Sequence, residues 1–167
     1  MSFTSAQPLD LLYDAARRGD VADLKRQLQD PQLDLNAQNG KGYTALILAT
    51  YDNHPDAARL LLDAGANPDL QDASGNSALM GVSFKGYADI ARLLIERGAS
   101  LDLRNGNGGT ALMFATLFGR NEIVKILLDA GADASIHDYR GLSALHLAGQ
   151  QGNEEAWNLL GGPEQED

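Results

Sequence analysis

Along the stretch 108–132, GGTALMFATLFGRNEIVKILLDAGA, two short apolar runs are divided by Gly119 and closed by Gly131. Each run places apolar residues three and four apart, the spacing of one helical face. Neither is long enough to persist alone in water, where isolated short helices are marginal. The pattern predicts a pair of short helices that depends on neighbours, and the rest of the chain supplies them. Thr44, Ser77, Thr110 and Ser143 stand 33 residues apart, each opening a similar run: TALILA, SALMGV, TALMFA, SALHLA. Gly42, Gly75, Gly108 and Gly141 precede them by two, and Asn39, Asp72, Asn105 and Asp138 precede those glycines by three. The closes LLLDAGAN, LLIERGAS and ILLDAGAD keep the same period. A fixed period of this length marks a stacked repeat architecture.

Each marker has a physical task. A Ser or Thr ahead of an apolar run caps a helix by accepting a backbone N–H. Leu46, Leu79, Leu112 and Leu145, with Ala49, Val82, Ala115 and Ala148 three residues on, give each first helix a narrow face that a neighbour approaches closely. Gly86, Gly119 and Gly152 end those helices, and Asn53 takes the same left-handed position in the second unit. Leu60, Leu61, Ile90, Leu93, Leu94, Ile123, Leu127 and Leu159 form the core-facing set of the second helices, which Gly65, Gly98 and Gly131 close. Asn39, Asp72, Asn105 and Asp138 then shape a projecting loop.

The ends depart from the period. In the first unit Asp10 takes the capping place, Ala15 and Ala16 the small-residue face and Gly19 the break, while its second helix is polar at Lys25, Arg26, Gln27 and Gln29. The last unit carries Asn153, Glu154, Glu155 and Asn158 in its second helix. Polar terminal units let an array stop without a sticky end. The acidic tail, 163–167, reads as disordered.

Taken together, these residues resemble the ankyrin repeat, a 33-residue unit carrying T-P-L-H-x-A, over about residues 8–162. The resemblance implies an all-α fold: an ankyrin solenoid of stacked helix-turn-helix units with projecting finger loops, in one domain over 1–162. The repeats run approximately 8–38, 39–71, 72–104, 105–137 and 138–162. Ala45, Ala78, Ala111 and Ala144 replace the motif proline, and the histidine survives only as His146, where it is expected to donate a structural hydrogen bond. This T-A-L-M form is similar to that of many bacterial ankyrin proteins, and it weakens the expected polar network between first helices.

Composition narrows the function. The chain has 167 residues, 44% hydrophobic, with 13 basic and 23 acidic side chains and a formal net charge of −10. That balance opposes a general nucleic-acid or anionic-membrane binder, whose affinity comes from neutralising phosphates. There is no cysteine, which excludes disulfides and thiol chemistry. No apolar run approaches the ~20 residues that span a bilayer, and the N-terminal sequence does not resemble a signal peptide. The expected location is therefore cytoplasmic.

Catalytic chemistry finds no foothold. RNGNGGT at 104–110 lacks the lysine and spacing of a phosphate loop and sits where every unit has its finger. A calcium-loop reading fails at Arg104, where a carboxylate is needed. His54, His137 and His146 fall in different local roles without metal-ligand spacing. The expectation is a non-enzymatic chain with no cofactor and no metal.

In ankyrin proteins, partners are met by finger tips and by the C-terminal ends of first helices. Carried over by position, the helix-end set is Arg17, Arg18, Tyr51, Asp52, Phe84, Lys85, Leu117 and Phe118. The finger set is Lys41, Tyr43, Asn76, Arg104, Tyr139 and Arg140. Tyr51, Phe84 and Leu117 are 33 apart, so stacking is expected to align them as an apolar stripe beside Phe118. Arg17, Arg18, Lys41, Lys85, Arg104 and Arg140 are expected to make the same concave face mildly basic. The function these features imply is binding of another protein by a chain that is monomeric when free, as a regulator or assembly partner. An immunity or antitoxin-type protein and a secreted host-directed effector are the alternatives.

Overall fold

The computed structural model describes residues 7–164. Ten helices follow in pairs among them: α1 (Pro8–Arg18) with α2 (Val21–Gln27), α3 (Ala45–Tyr51) with α4 (Pro55–Asp63), α5 (Ala78–Lys85) with α6 (Ala88–Glu96), α7 (Ala111–Leu117) with α8 (Asn121–Asp129), and α9 (Ala144–Gln151) with α10 (Glu154–Leu159). First helices pack on first helices in chain order, and second helices on second helices. The two rows share one continuous apolar cluster.

The caps work as the sequence requires. Thr44, Ser77, Thr110 and Ser143 are extended and accept the N–H of Ile47, Met80, Met113 and His146. Asn53 has φ 62°, the only non-glycine residue with positive φ among those described. At the first unit the reading is corrected: α1 begins at Pro8 behind Gln7, and Asp10 lies inside the first turn. Proline at the first helical position starts the helix without a side-chain cap.

Small residues bring the first helices together. Ala49, Val82, Ala115 and Ala148 are fully buried, as are Leu61, Leu94 and Leu127 between the rows. At the open end of the stack this pattern loses its cover. Leu145 and Leu160, the last-unit counterparts of Leu112 and Leu127, are only half-buried there, and Leu159, expected in the core, is 36% exposed. Leu60, which holds the same repeat position as Leu159 in an interior unit, is also only half-buried, against the expectation. The buried hydroxyls of Thr50, Ser83 and Thr116 donate to Leu46, Leu79 and Leu112 carbonyls of their own helices.

The polar connection between units runs through the fingers. Each finger turn is closed by an Asx side chain: Asn39 Oδ1 accepts from Lys41 and Tyr43, Asp72 from Ser74 and Asn76, Asn105 from Asn107 and Gly109, Asp138 from Arg140 and Leu142. Backbone bonds then join finger to finger, with Ala73, Gly106 and Tyr139 N–H donating to Lys41, Ser74 and Asn107 carbonyls at 2.9–3.0 Å. Glycine is required for this approach. A Cβ at Gly42 would stand 2.6 Å from the Ala73 nitrogen, and one at Gly75 2.8 Å from that of Gly106.

A second ladder runs along the finger bases. Gln38, Gln71 and Arg104 each donate to the Gly42, Gly75 or Gly108 carbonyl of their own finger and to the carbonyl 33 residues on, at Gln71, Arg104 and His137. A third uses Asn36, Asp69 and Asp102, which accept from the Asn67, Ser100 and Asp133 backbone N–H groups. His146 has a different part from the one expected: its Nδ1 accepts the Ser143 N–H, completing a capping box. At the C-terminal end Trp157 Nε1 donates to the Pro163 carbonyl at 2.9 Å. Residues 165–167 of the acidic tail, and 1–6 of the expected domain, lie outside the described residues.

Two predictions follow from this construction. Leu127→Ala should cost about 2–5 kcal/mol of stability, whereas Leu159→Ala should cost under about 1 kcal/mol, both read by urea denaturation; equal losses would contradict the exposure of Leu159. The second concerns Asp138. Burial raises its pKa, but the N–H of Leu142, the Arg140 guanidinium and the Arg140 N–H outweigh that and hold it below the usual carboxylate range. A depressed folded pKa stabilises above the unfolded value and loses that contribution as pH falls through the folded one. Asp138→Asn, which keeps the turn as Asn39 and Asn105 do, should be less stable than wild type at pH 7. The gap should close in acid below the unfolded value of about 3.9; a gap independent of pH would contradict it.

Candidate functional site: the finger and first-helix face

The ends of the first helices are held in place by the turns of the following units. His54 Nε2 bonds the Arg17 carbonyl at 2.7 Å, Arg120 Nε donates to the Phe84 carbonyl at 3.0 Å, and Asn153 Nδ2 to the Thr116 carbonyl at 3.2 Å. The three donors belong to one 33-residue series, 54, 87, 120 and 153, in which Tyr87 makes no such bond among the described residues. They satisfy carbonyls that a helix end leaves unpaired, and they fix the backbone from which the helix-end side chains project.

Those side chains do not form one uniform stripe. Tyr51 and Phe118 are 42% and 43% exposed, while Phe84 and Leu117 are half-buried. Phe84 and Phe118 meet edge to face with centroids 4.6 Å apart. This is the favoured geometry for two aromatic quadrupoles. Lys85 Nζ lies over the Tyr51 ring, 4.7 Å from its centroid, a cation–π contact.

Two cavities open between the first helices and the fingers. The larger, about 380 Å³, is walled by Ile47, Leu48 and Tyr51 of α3, Met80, Gly81 and Phe84 of α5, and Phe114 of α7, with Tyr43, Asp72 and Asn76 on the finger side and Asp52 also lining it. The smaller, about 140 Å³, lies between Phe114 and Leu117 on one side and Leu147 on the other, with Asn105, Asn107, Asp138 and Arg140 from the fingers. Tyr51 and Phe84 therefore serve one cavity and Leu117 the other, with Phe114 shared. Sequence reading missed Gly81 and Phe114. The available signal was the series four residues after each cap, Leu48, Gly81, Phe114 and Leu147, where side-chain size changes abruptly.

The expected basic face is corrected in part. Arg18 is engaged by Asp14, Asp20 and Asp23, and the Asp14 and Asp20 hydrogen bonds push its pKa upward. Asp20 is in turn held low by the Asp23 N–H and by Arg18. Arg140 pairs with the buried Asp138 carboxylate at 2.8 Å. Arg104 spends its guanidinium on carbonyls and lies 5.2 Å from the Tyr139 ring centroid. Arg17, Lys41 and Lys85 have no carboxylate partner among the described residues. Local pairing thus occupies Arg18 and Arg140 within their own units. Tyr139, at a finger tip, is 72% exposed.

Among the described residues, no group of three His, Asp or Glu side chains is placed to hold a metal ion, and no helix is long and apolar enough to cross a membrane.

Comparison with known proteins agrees with this architecture. A family model described as ankyrin repeats (three copies) matches residues 12–105 and again 84–166. The human ankyrin repeat and SAM domain-containing protein 3 is 45% identical over 58 residues, which is 35% of this chain and 9% of that protein. The chain thus corresponds to less than a tenth of that relative's length. Ankyrin repeats generally serve as protein–protein interaction modules. With its period, caps, finger turns and helix rows all accounted for, this chain belongs to the ankyrin repeat family.

Proposed function

We propose that this chain is a non-enzymatic binding module, monomeric when free, that grips a partner protein with its concave first-helix and finger face as a regulator or assembly partner. The observation that carries this reading is the exposure of Tyr51 and Phe118 beside a preformed, mainly apolar cavity. Exposed aromatics next to an apolar recess mark interaction surfaces. The helix-end and finger residues singled out in the sequence are the proposed contacts, with Tyr51, Phe84, Phe118 and Tyr139 as anchors and Lys41, Lys85 and Asn76 around them. Fingers joined by backbone hydrogen bonds lose little conformational freedom on docking, so a few anchors suffice for affinity. An interface of ordinary size would bury about 800 Å² on each partner.

The test is affinity capture from the native source with wild type and a Tyr51→Ala/Phe118→Ala double variant. The melting temperature should fall by only a few degrees, for loss of the Phe84–Phe118 and Lys85–Tyr51 contacts, while a partner's affinity should fall about 30-fold or more, as expected for loss of a hot spot. Capture of the same proteins by both forms would remove these anchors from the site.

A further inference from the structure

The series Leu48, Gly81, Phe114, Leu147 places its one glycine in the middle of α5. Glycine is disfavoured inside a helix, and Gly81 is not among the residues of positive φ, so no turn requires it. Nor does packing forbid a side chain. A Cβ added there meets only Tyr51 Cδ2 at 3.4 Å, an ordinary contact. What glycine does at this position is deepen the floor of the 380 Å³ cavity, leaving Tyr51, Phe84 and Phe114 as its walls.

The mouth of that cavity carries unspent negative charge. Asp52 and Asp72 both line it, and neither has an ion-pair partner among the described residues. Asp72 closes its finger turn with Oδ1 alone. The same position two units later is Asp138, whose other oxygen is taken by Arg140; the residue matching Arg140 here is Ser74. Asn39 and Asn105 hold the same turn without charge, so the turn does not need the Asp72 carboxylate to be ionised. Lys85 stands over Tyr51 and, among the described residues, makes no ion pair with Asp72. The whole chain, at −10, also favours a basic partner.

We infer that the Gly81 cavity is an anchor pocket for a partner segment presenting a large apolar side chain with Lys or Arg within a few residues of it. The apolar side chain enters between Tyr51, Phe84 and Phe114, and the cation meets the free oxygen of Asp72 or the Asp52 carboxylate. The assignment rests on the protein-binding reading and narrows it to one pocket and one ligand chemistry.

The test is selection of a displayed random 12-residue peptide library on the wild-type chain, followed by affinity measurement of the selected peptides on three variants and on the Tyr51→Ala/Phe118→Ala form. Gly81→Leu fills the pocket, Gly81→Ala changes helix propensity with little loss of space, and Asp72→Asn removes charge while keeping the turn. Selected peptides should share a large apolar residue flanked by Lys or Arg. They should bind Gly81→Leu about tenfold or more weakly, bind Gly81→Ala nearly as well as wild type, and lose about threefold to tenfold with Asp72→Asn, an effect that shrinks at about 0.5 M salt. Both Gly81 variants should melt at or above the wild-type temperature. Peptides that bind Gly81→Leu undiminished but fail on Tyr51→Ala/Phe118→Ala overturn the pocket and leave the concave-face reading standing. Peptides indifferent to all of these variants overturn both. An empty selection, acidic flanks, or self-association of the wild-type chain that Gly81→Leu abolishes would each overturn the assignment, the last by giving the pocket to a second copy.

Discussion

Every unit of this chain has apolar faces that only another unit can cover. Helices of six to eleven residues gain too little from their own hydrogen bonds to persist. Their burial comes from the preceding and following pairs. Leu61, Leu94 and Leu127 are fully buried at matching places because second helices stand on both sides. Leu160, the matching residue of the last unit, has a neighbour on one side only and is half-buried. Stability in such an array is approximately a sum of weak units and strong interfaces, so the interface between units is the element the rest of the structure depends on.

That dependence shapes the proposed binding face. The fingers are polar and would be mobile as isolated loops, yet each is bonded by its backbone to the next and braced at its base by Gln38, Gln71 or Arg104. The helix ends are likewise tied down by His54, Arg120 and Asn153 from the following units. The cavity at Gly81 is formed by α3, α5 and α7 together with the fingers that precede α3 and α5, so it exists only while three units remain in register. Stacking thus supplies both the core and the preformed surface that recognition requires.

The fold was legible because its signals are local and repeated four times. A capping hydroxyl, a glycine and an apolar spacing each act within a few residues of their own position. The site was less legible because it depends on what lies across the stack. Arg18 reads as a free cation until Asp14, Asp20 and Asp23 are seen around it. Arg104 reads as a finger contact until its guanidinium is found on the Gly108 and His137 carbonyls. Leu117 shares a period with Tyr51 and Phe84 but turns toward a different recess. Gly81 carries no motif of its own, and its meaning appears only when the side chains around it define a volume. Asp10 was misread because proline at the first helical position starts α1 without a side-chain cap, and Leu159 because its repeat position is only half-buried at Leu60 and Ile126 as well.

The most direct test of this account is native-state hydrogen exchange at the three amides that join successive fingers, those of Ala73, Gly106 and Tyr139. If stacking builds a preformed face, they should exchange only as units separate, with protection approaching that of core helix amides such as Leu94 and Leu127. Exchange at the rate of unstructured loop amides, with the helices still protected, would show that the fingers are not joined and that the recognition surface is not preformed.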